Sequence, residues 1–217
     1  MLRESERLHL LDLVEEGYRE SREMFSRLSN TYVPGEGNYE QPEAFIIGEA
    51  PGAVEDAARR PFVGKAGQIL RQLMVLADLW STTVKDSNQV ERYPGAPNCW
   101  LTNVVKHRPA GNATPTPVEV NAFRRYLQEE WHAVGEPTLL IPVGAVALRA
   151  VTGKPLSILR AAGKCHKYRS TYTGKLLHIW PMVHPAWVIR QGDNTALQEL
   201  IEQDWERLGE WRRAQNS

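Results

Sequence analysis

Ala44-Phe45-Ile46-Ile47-Gly48-Glu49-Ala50-Pro51-Gly52 is a short apolar run that stops at a glycine and turns into a loop bounded by proline and glycine. An unbroken apolar run closed by turn residues reads as a strand buried on both faces. The same design recurs downstream. Cys99-Trp100-Leu101-Thr102-Asn103-Val104-Val105 ends at Lys106-His107-Arg108-Pro109, Leu139-Leu140-Ile141-Pro142-Val143-Gly144 leads into a helix through Ala147 and Leu148, and Leu176-Leu177-His178-Ile179-Trp180 runs through Pro181 to Val183-His184-Pro185-Ala186.

Helical segments separate these runs. Residues 1–30 carry Leu8, Leu11, Val14 and Tyr18 at spacings of three and four, and Pro34-Gly35-Glu36-Gly37-Asn38 breaks that helix. Gly67 to Trp80 places Ile69, Leu70, Leu73, Met74 and Leu76 in helical rhythm. Thr116 as N-cap, Pro117 at the first helical position and Glu119 completing a capping box start a helix that ends near Gly135. An amphipathic helix from Leu197 to Trp211 follows, and the polar stretch 81–98 reads as a surface excursion. Strands alternating with helices predict an α/β fold, three layers α/β/α around a mostly parallel four-stranded sheet, in a single domain over residues 1–217.

Composition narrows the function. The chain is 42% hydrophobic and 24% charged without biased tracts, so it is expected to fold on its own. Formal net charge is zero, which argues against a protein that coats nucleic acid by bulk charge; any DNA contact needs a local patch. Candidate patches are Arg59-Arg60 with Lys65, Lys106-His107-Arg108, and the run Arg160, Lys164, Lys167, Arg169 and Lys175, each of which also reads as a solvated face. The N-terminus lacks the apolar core of a signal peptide and no stretch is long enough to span a bilayer, so a cytoplasmic protein without membrane contact is expected. Cys99 and Cys165 are too few and too far apart for a disulfide framework or a cysteine metal site.

The chemistry-bearing residues Glu49, Asn103, His107 and His184 all stand where predicted strands end, the place where open α/β sheets form their ligand crevice. Several familiar motifs are absent: no Walker A loop, no G-x-G-x-x-G after a strand, no H-x-E with P-C-x-x-C, and no G-x-S-x-G elbow. An aromatic residue at the Pro61-Phe62 corner, an asparagine amide and a histidine are parts for holding a planar polar ring. Glu49, Glu55 and Asp56 supply carboxylates that could stabilise positive charge on a sugar or orient water. Each also has a structural explanation: a turn for Asn103, a buried histidine for His184, core for Phe62, a strand-to-helix corner for Gly48, Pro51 and Gly52, and helix N-terminal acids for Glu55 and Asp56.

In sequence order these residues resemble the family 4 uracil-DNA glycosylases. The resemblance is carried by Gly48-Glu49-Ala50-Pro51-Gly52 with Glu55-Asp56 and Arg60-Pro61-Phe62-Val63-Gly64-Lys65-Ala66-Gly67, by Leu101-Thr102-Asn103-Val104-Val105-Lys106-His107-Arg108-Pro109 with Thr114-Pro115-Thr116-Pro117-Val118-Glu119-Val120, and by His184-Pro185-Ala186-Trp187-Val188-Ile189-Arg190. It implies that Phe62 stacks on an extruded uracil, that Asn103 reads its polar edge, and that His184 stabilises the leaving base. Glu49 and Glu55 fall at the acidic positions associated with water and the sugar cation, and Gly48 and Ala50 shape the pocket floor. Lys106, Arg108, Trp187 and Arg190 are the expected DNA contacts, with Trp187, Val188 or Ile189 as an apolar wedge unless Trp187 packs against the closing helix.

The family normally holds a four-iron, four-sulfur cluster on four cysteines. This chain has no cysteine before Cys99 and offers His107 and Phe123 at two of the ligand positions, so a relative without cofactor or metal is expected. The expected partner is uracil-containing DNA, bound by a monomer. Rival readings are a binding protein for uracil or altered bases with weak or no cleavage, a glycosylase for another deaminated base, and a covalent uracil-capturing relative, whose Lys-Arg-Arg-Ile-His insertion is absent between Lys106 and Pro117.

Overall fold

The computed structural model describes residues 2–80, 84–85, 91–92, 98–170, 173–192 and 194–216. Its helices are α1 (Glu4–Arg22), α2 (Ala53–Ala58), α3 (Lys65–Leu76), α4 (Pro117–Ala133), α5 (Ala145–Thr152), α6 (Ile158–Ala161), α7 (Pro185–Arg190) and α8 (Thr195–Asn216). Its strands are β1 (Glu36–Gly37), β2 (Ala44–Gly48), β3 (Val84–Lys85), β4 (Glu91–Arg92), β5 (Cys99–Asn103), β6 (Leu139–Pro142), β7 (His166–Arg169) and β8 (Leu176–Ile179). The polar stretch expected as a surface excursion lies mostly outside the described residues; within it, β3 and β4 form an antiparallel pair.

The main sheet has six strands in the order β1-β5-β2-β6-β8-β7, where sequence predicted four. Its centre, β5-β2-β6-β8, is the expected parallel set, and β1 and β7 add antiparallel edges. Both extra strands lack an apolar run for a physical reason. β1 is two residues inside a stretch that reads as a helix break, and β7 is His166-Lys167-Tyr168-Arg169, whose polar and charged side chains suit an edge that faces water.

β2, β5 and β6 are buried on both faces, which accounts for their largely apolar runs, whereas β8 leaves Leu176 exposed and His178 half-buried. Phe45, Ile47, Trp100 and Leu140 point into one cluster with α1, α4 and α5, while Ala44, Ile46, Leu101 and Ile141 point into a second with α3 and α8. α1 stops at Arg22 rather than continuing to residue 30, and its inward face is Arg7, Val14, Gly17 and Tyr18, with Leu8 exposed. A Cβ on Gly17 would lie 2.1 Å from the Tyr126 ring, so glycine there lets α1 meet α4. α4 begins with the predicted capping box: Thr116 Oγ1 accepts from the Glu119 amide at 3.3 Å, and the Thr116 amide donates to Glu119 Oε2 at 2.6 Å.

Residues 107 and 123, where the resemblance implies cluster cysteines, sit in an aromatic nest. Phe123 stacks on Tyr18 at a centroid distance of 5.3 Å, His107 lies 5.8 Å from Tyr32 and 6.4 Å from Phe123, and Phe25 closes the group 5.8 Å from Phe123. One imidazole among phenyl and phenol rings does not fit an iron–sulfur cluster, which needs a set of thiolate ligands. Burial pushes the His107 imidazole down to about 4, so the ring packs as a neutral member of the nest.

Lys106 cannot play the DNA-contacting role expected of it. Its side chain has no exposed surface, and Nζ lies 2.8 Å from Glu130 Oε1 and 5.4 Å from the centre of the Tyr18 ring, also contacting Thr102 Oγ1. Trp100 Nε1 and Thr102 Oγ1 each donate to the same Glu130 carboxylate at 2.9 Å. The pair joins the end of β5 to α4 beneath the sheet. A basic residue after an apolar run could not be assigned to surface or core by sequence, because its partner lies 24 residues on.

Two predictions follow from this buried chemistry. Removing Lys106 leaves a buried carboxylate without its cation, so Lys106→Met is expected to destabilise by about 3–5 kcal/mol in urea unfolding. For His107 the folded pKa is depressed below its unfolded value. Its contribution is therefore complete above about pH 6.5 and lost as pH falls toward 4, at up to about 1.4 kcal/mol per pH unit. His107→Phe is expected to make stability fall less steeply between those limits, and an unchanged slope would count against a neutral buried ring.

Candidate active site

The sheet register brings the predicted residues together. Gly48 pairs with Asn103 across β2 and β5, and the ladder continues past the strand ends as the amides of Val104 and Val105 donate to the carbonyls of Gly48 and Glu49 at 3.0 and 3.1 Å. On the other side the Val143 amide donates to Ile47 O at 2.8 Å, and the Gly144 amide donates to Met182 O at 2.8 Å. Glu49, Asn103, Gly144 and His184 are thereby fixed at one end of the parallel strands, around a cleft of about 570 Å³.

Glycines set its inner dimensions. A Cβ on Gly48 would lie 2.4 Å from Asn103 Oδ1 and 2.6 Å from Phe62 Cζ, so only glycine lets ring and amide close on the same space. Phe62 has φ +55°, a left-handed conformation uncommon for a bulky residue and typical of functional sites. A Cβ on Gly67 would lie 1.9 Å from Phe62 O, so the start of α3 presses against that corner. Glu55 ties the same corner down, accepting from the Gly52 amide at 3.2 Å and the Gly64 amide at 2.7 Å. Ala50, Glu55 and Phe62 all line the cleft, whereas Asp56 is held outside it, accepting from Ser29 Oγ at 2.7 Å.

Asn103 lines the cleft with 4% of its surface exposed, and its amide bonds to no other described residue. Glu49 is half-buried beside it. Burial raises its carboxyl above the usual carboxylate range, opposed by a hydrogen bond from the Val146 backbone and by the Arg190 cation. His184 Nδ1 accepts from the Ala186 amide at 3.1 Å as the N-cap of α7, and burial, helped by Arg190, pushes the imidazole down to about 4. At neutral pH it is uncharged. With Nδ1 accepting, the remaining proton is on Nε2, a donor.

Gly144, with φ +100°, is a site residue that sequence reasoning missed: a Cβ there would lie 2.4 Å from Glu49 Oε1 and 3.3 Å from His184 Cβ. Its signal was the strand–glycine–helix pattern of 139–148. The far wall comes from Pro109, Asn112 to Pro115, and Ile158 and Leu159, none of them chemically distinctive in sequence.

The expected DNA contacts divide. Arg190 and Trp187 line the cleft; Arg190 is exposed, and Trp187 is half-buried against the α3–α8 cluster. Arg108 lies at the rim, donating to Asn112 Oδ1 at 2.7 Å. Lys106 is in the core. Val188 is buried in the same cluster as Trp187, which removes it as a wedge. Among the described residues no three of His, Cys, Asp or Glu are grouped to hold a metal ion, and no helix is long and apolar enough to cross a membrane.

Comparison with known proteins shows the family. The family model of the uracil DNA glycosylase superfamily matches residues 34–209. The chain is 31% identical to the type-4 uracil-DNA glycosylase of Thermotoga maritima over 203 residues, covering 93% of this chain and 94% of that protein. It is 31% identical to the type-4 enzyme of Archaeoglobus fulgidus over 188 residues, covering 85% and 83%, and 34% identical to that of Pyrobaculum aerophilum over 163 residues, covering 73% and 74%. The chain belongs to the uracil-DNA glycosylase superfamily, among its type-4-like members, and lacks the cysteines of an iron–sulfur cluster.

Proposed function

We propose that this protein removes uracil from DNA by hydrolysing its N-glycosidic bond, leaving an abasic site, and that it works as a single-domain monomer without a bound metal or redox cofactor. The observation that carries this reading is Asn103: a buried amide facing the cleft beside a phenyl ring, unbonded to any described residue. Held between Gly48 and Phe62 and without a protein partner, that amide presents its acceptor and donor to whatever enters the cleft, and a ligand that displaces its water must replace both bonds or forfeit ~1–3 kcal/mol. Uracil offers an N3–H donor next to an O4 acceptor, which complements an amide's acceptor and donor.

In this reading the flipped base stacks on Phe62 and pairs with Asn103, with Gly48 and Ala50 as the floor. As the C1′–N1 bond breaks, electrons pass to the base and positive charge develops on the sugar. His184 donates from Nε2 to the departing base, an interaction that strengthens as negative charge builds. The Glu49 carboxylate faces the sugar cation and takes a proton from the water that adds to C1′; the uracil anion is protonated on release. Glu55, bonded to two backbone amides, holds the Phe62 corner in place and acts as a positioning residue. Arg190 adds positive potential near the leaving base and the backbone phosphates.

Purified protein incubated with an oligonucleotide containing one deoxyuridine, followed by alkaline cleavage, tests the activity. Strand scission is expected for uracil; binding without scission would favour the non-cleaving reading, and scission confined to a deaminated purine would favour another lesion. Asn103→Ala is expected to slow excision about ten- to a hundred-fold. The pH dependence discriminates further. Glu49 must be ionised and its carboxyl is raised, so single-turnover excision should show an acid limb above that of a solvated glutamate, removed in Glu49→Gln. His184 stays neutral down to about 4, so a limb near pH 6.5 that disappears in His184→Ala would contradict its role as a neutral donor.

A further inference from the structure

Beside the cleft lies a second hollow, of about 430 Å³. Pro115, Ala145 and Val146 line both, so the two open side by side across the first turn of α5. Pro117 and Val120, at the start of α4, form one wall of the hollow, and Pro155, Leu156 and Ser157, in the connection from α5 to α6, form the other. Arg149, one helical turn past Ala145, reaches it from α5.

Both walls are built before anything enters. The capping box of Thr116 and Glu119 fixes the α4 side. On the other side α5 ends at Gly153, left-handed at φ +71°, the Thr152 hydroxyl donates to Leu148 O at 2.8 Å, and the Leu156 amide donates to Lys154 O at 2.9 Å. Pro117, Pro155 and Leu156 nevertheless stay open to solvent, Leu156 with 45% of its surface exposed. Apolar groups on so fixed a frame have no described side chain to cover them.

The charge around the hollow is one-sided. Between Glu136 and Asp193 the chain has no acidic residue and eight lysines and arginines, in a protein whose formal charge is zero. The Arg149 side chain is half-buried and bonds to no described residue, and Lys154 is exposed beyond it. Glu119, beside the α4 wall in sequence, is buried and neutralised by Arg27 at 2.5 Å. A rigid apolar hollow with an unpaired cation at its floor suits a group that is flat and weakly polar at one end and anionic at the other, as a nucleotide is. Its position says which nucleotide: a uridine held in the cleft leaves its phosphates at the mouth, and a strand passing over the shared turn of α5 brings the next base to the hollow.

We propose that this hollow is a second nucleotide subsite, which takes the base beside the flipped uridine in the same strand while Arg149 holds the phosphate between them. The proposal rests on reading the cleft as a pocket for a flipped base. Strand and protein then meet at two successive bases rather than one.

The test is fluorescence anisotropy with single strands that carry one non-cleavable 2′-fluorodeoxyuridine. They have either all their bases or a tetrahydrofuran spacer, which keeps the phosphate and lacks the base, on the 5′ or the 3′ side of it. For wild type one of the two spacers should weaken binding about five- to ten-fold. Leu156→Asp, at an exposed position, should keep its thermal stability, lose the same factor on the complete strand, and lose nothing more on that spacer strand. Leu156→Ser should show the same pattern at smaller size. Arg149→Gln should reduce the steepness of log Kd against log salt by about 0.7, the share of one phosphate on a single strand. Equal binding of all three strands by wild type, equal losses by Leu156→Asp on complete and spacer strands, or an unchanged salt dependence in Arg149→Gln overturns the proposal. Failure of wild type to excise uracil from the ordinary deoxyuridine strand would instead count against the proposed function, with the spacer pattern still deciding the role of the hollow.

Discussion

At the end of β2 the parallel register sets Gly48 opposite Asn103, and a single missing side chain decides what can be built there. A Cβ at 48 would lie 2.4 Å from the Asn103 amide oxygen and 2.6 Å from the Phe62 ring, so neither group could hold its place with any other residue. Around that gap the rest of the site is arranged by backbone: Glu49 and Ala50 follow in the loop, Gly67 and Glu55 press and tie the Phe62 corner, and Gly144 lets Glu49 meet His184. The left-handed conformation of Phe62 is the strained element, and the helix start behind it together with the Glu55 clamp holds it there.

The same economy governs the electrostatics. Glu49 and His184 are both driven toward their neutral forms by burial, in opposite senses of pKa; the exposed Arg190 opposes burial at Glu49, favouring the carboxylate, and reinforces it at His184, favouring the neutral ring. In the proposed function an ionised Glu49 meets the positive charge on the sugar, and the uncharged His184 imidazole donates to the base as negative charge builds on it. At residues 107 and 123, where the resemblance implies cluster ligands, this chain packs His107 and Phe123 with Tyr18 and Tyr32, and the Lys106–Glu130 pair fastens β5 to α4.

Much of this was legible in the sequence. The four central strands announced themselves as short, largely apolar runs closed by turn residues, and Thr116, Pro117 and Glu119 marked the start of α4 by local chemistry alone. Glu49, Asn103 and His184 stood out as candidates because each lies at the end of such a strand, whereas Phe62, between α2 and α3, was singled out by its corner and the resemblance. What was not legible depends on long-range pairing. β1 and β7 pair through backbone and carry no apolar signal, Lys106 could be placed in the core only by knowing that Glu130 waits there, and α1 ends at Arg22 although apolar residues continue beyond it. Leu159 carried no signal in the sequence, and only the fold shows that it is exposed and lines the cleft.

The central claim is that Gly48, Phe62 and Asn103 enclose a pyrimidine-sized space, and a crystal soaked with free uracil tests it most directly. The account predicts the ring stacked on Phe62, with its N3–H and O4 edge bonded to the Asn103 amide and O2 toward His184 Nε2. Uracil bound elsewhere in the cleft, or an Asn103 amide left unbonded with the ring present, would contradict it.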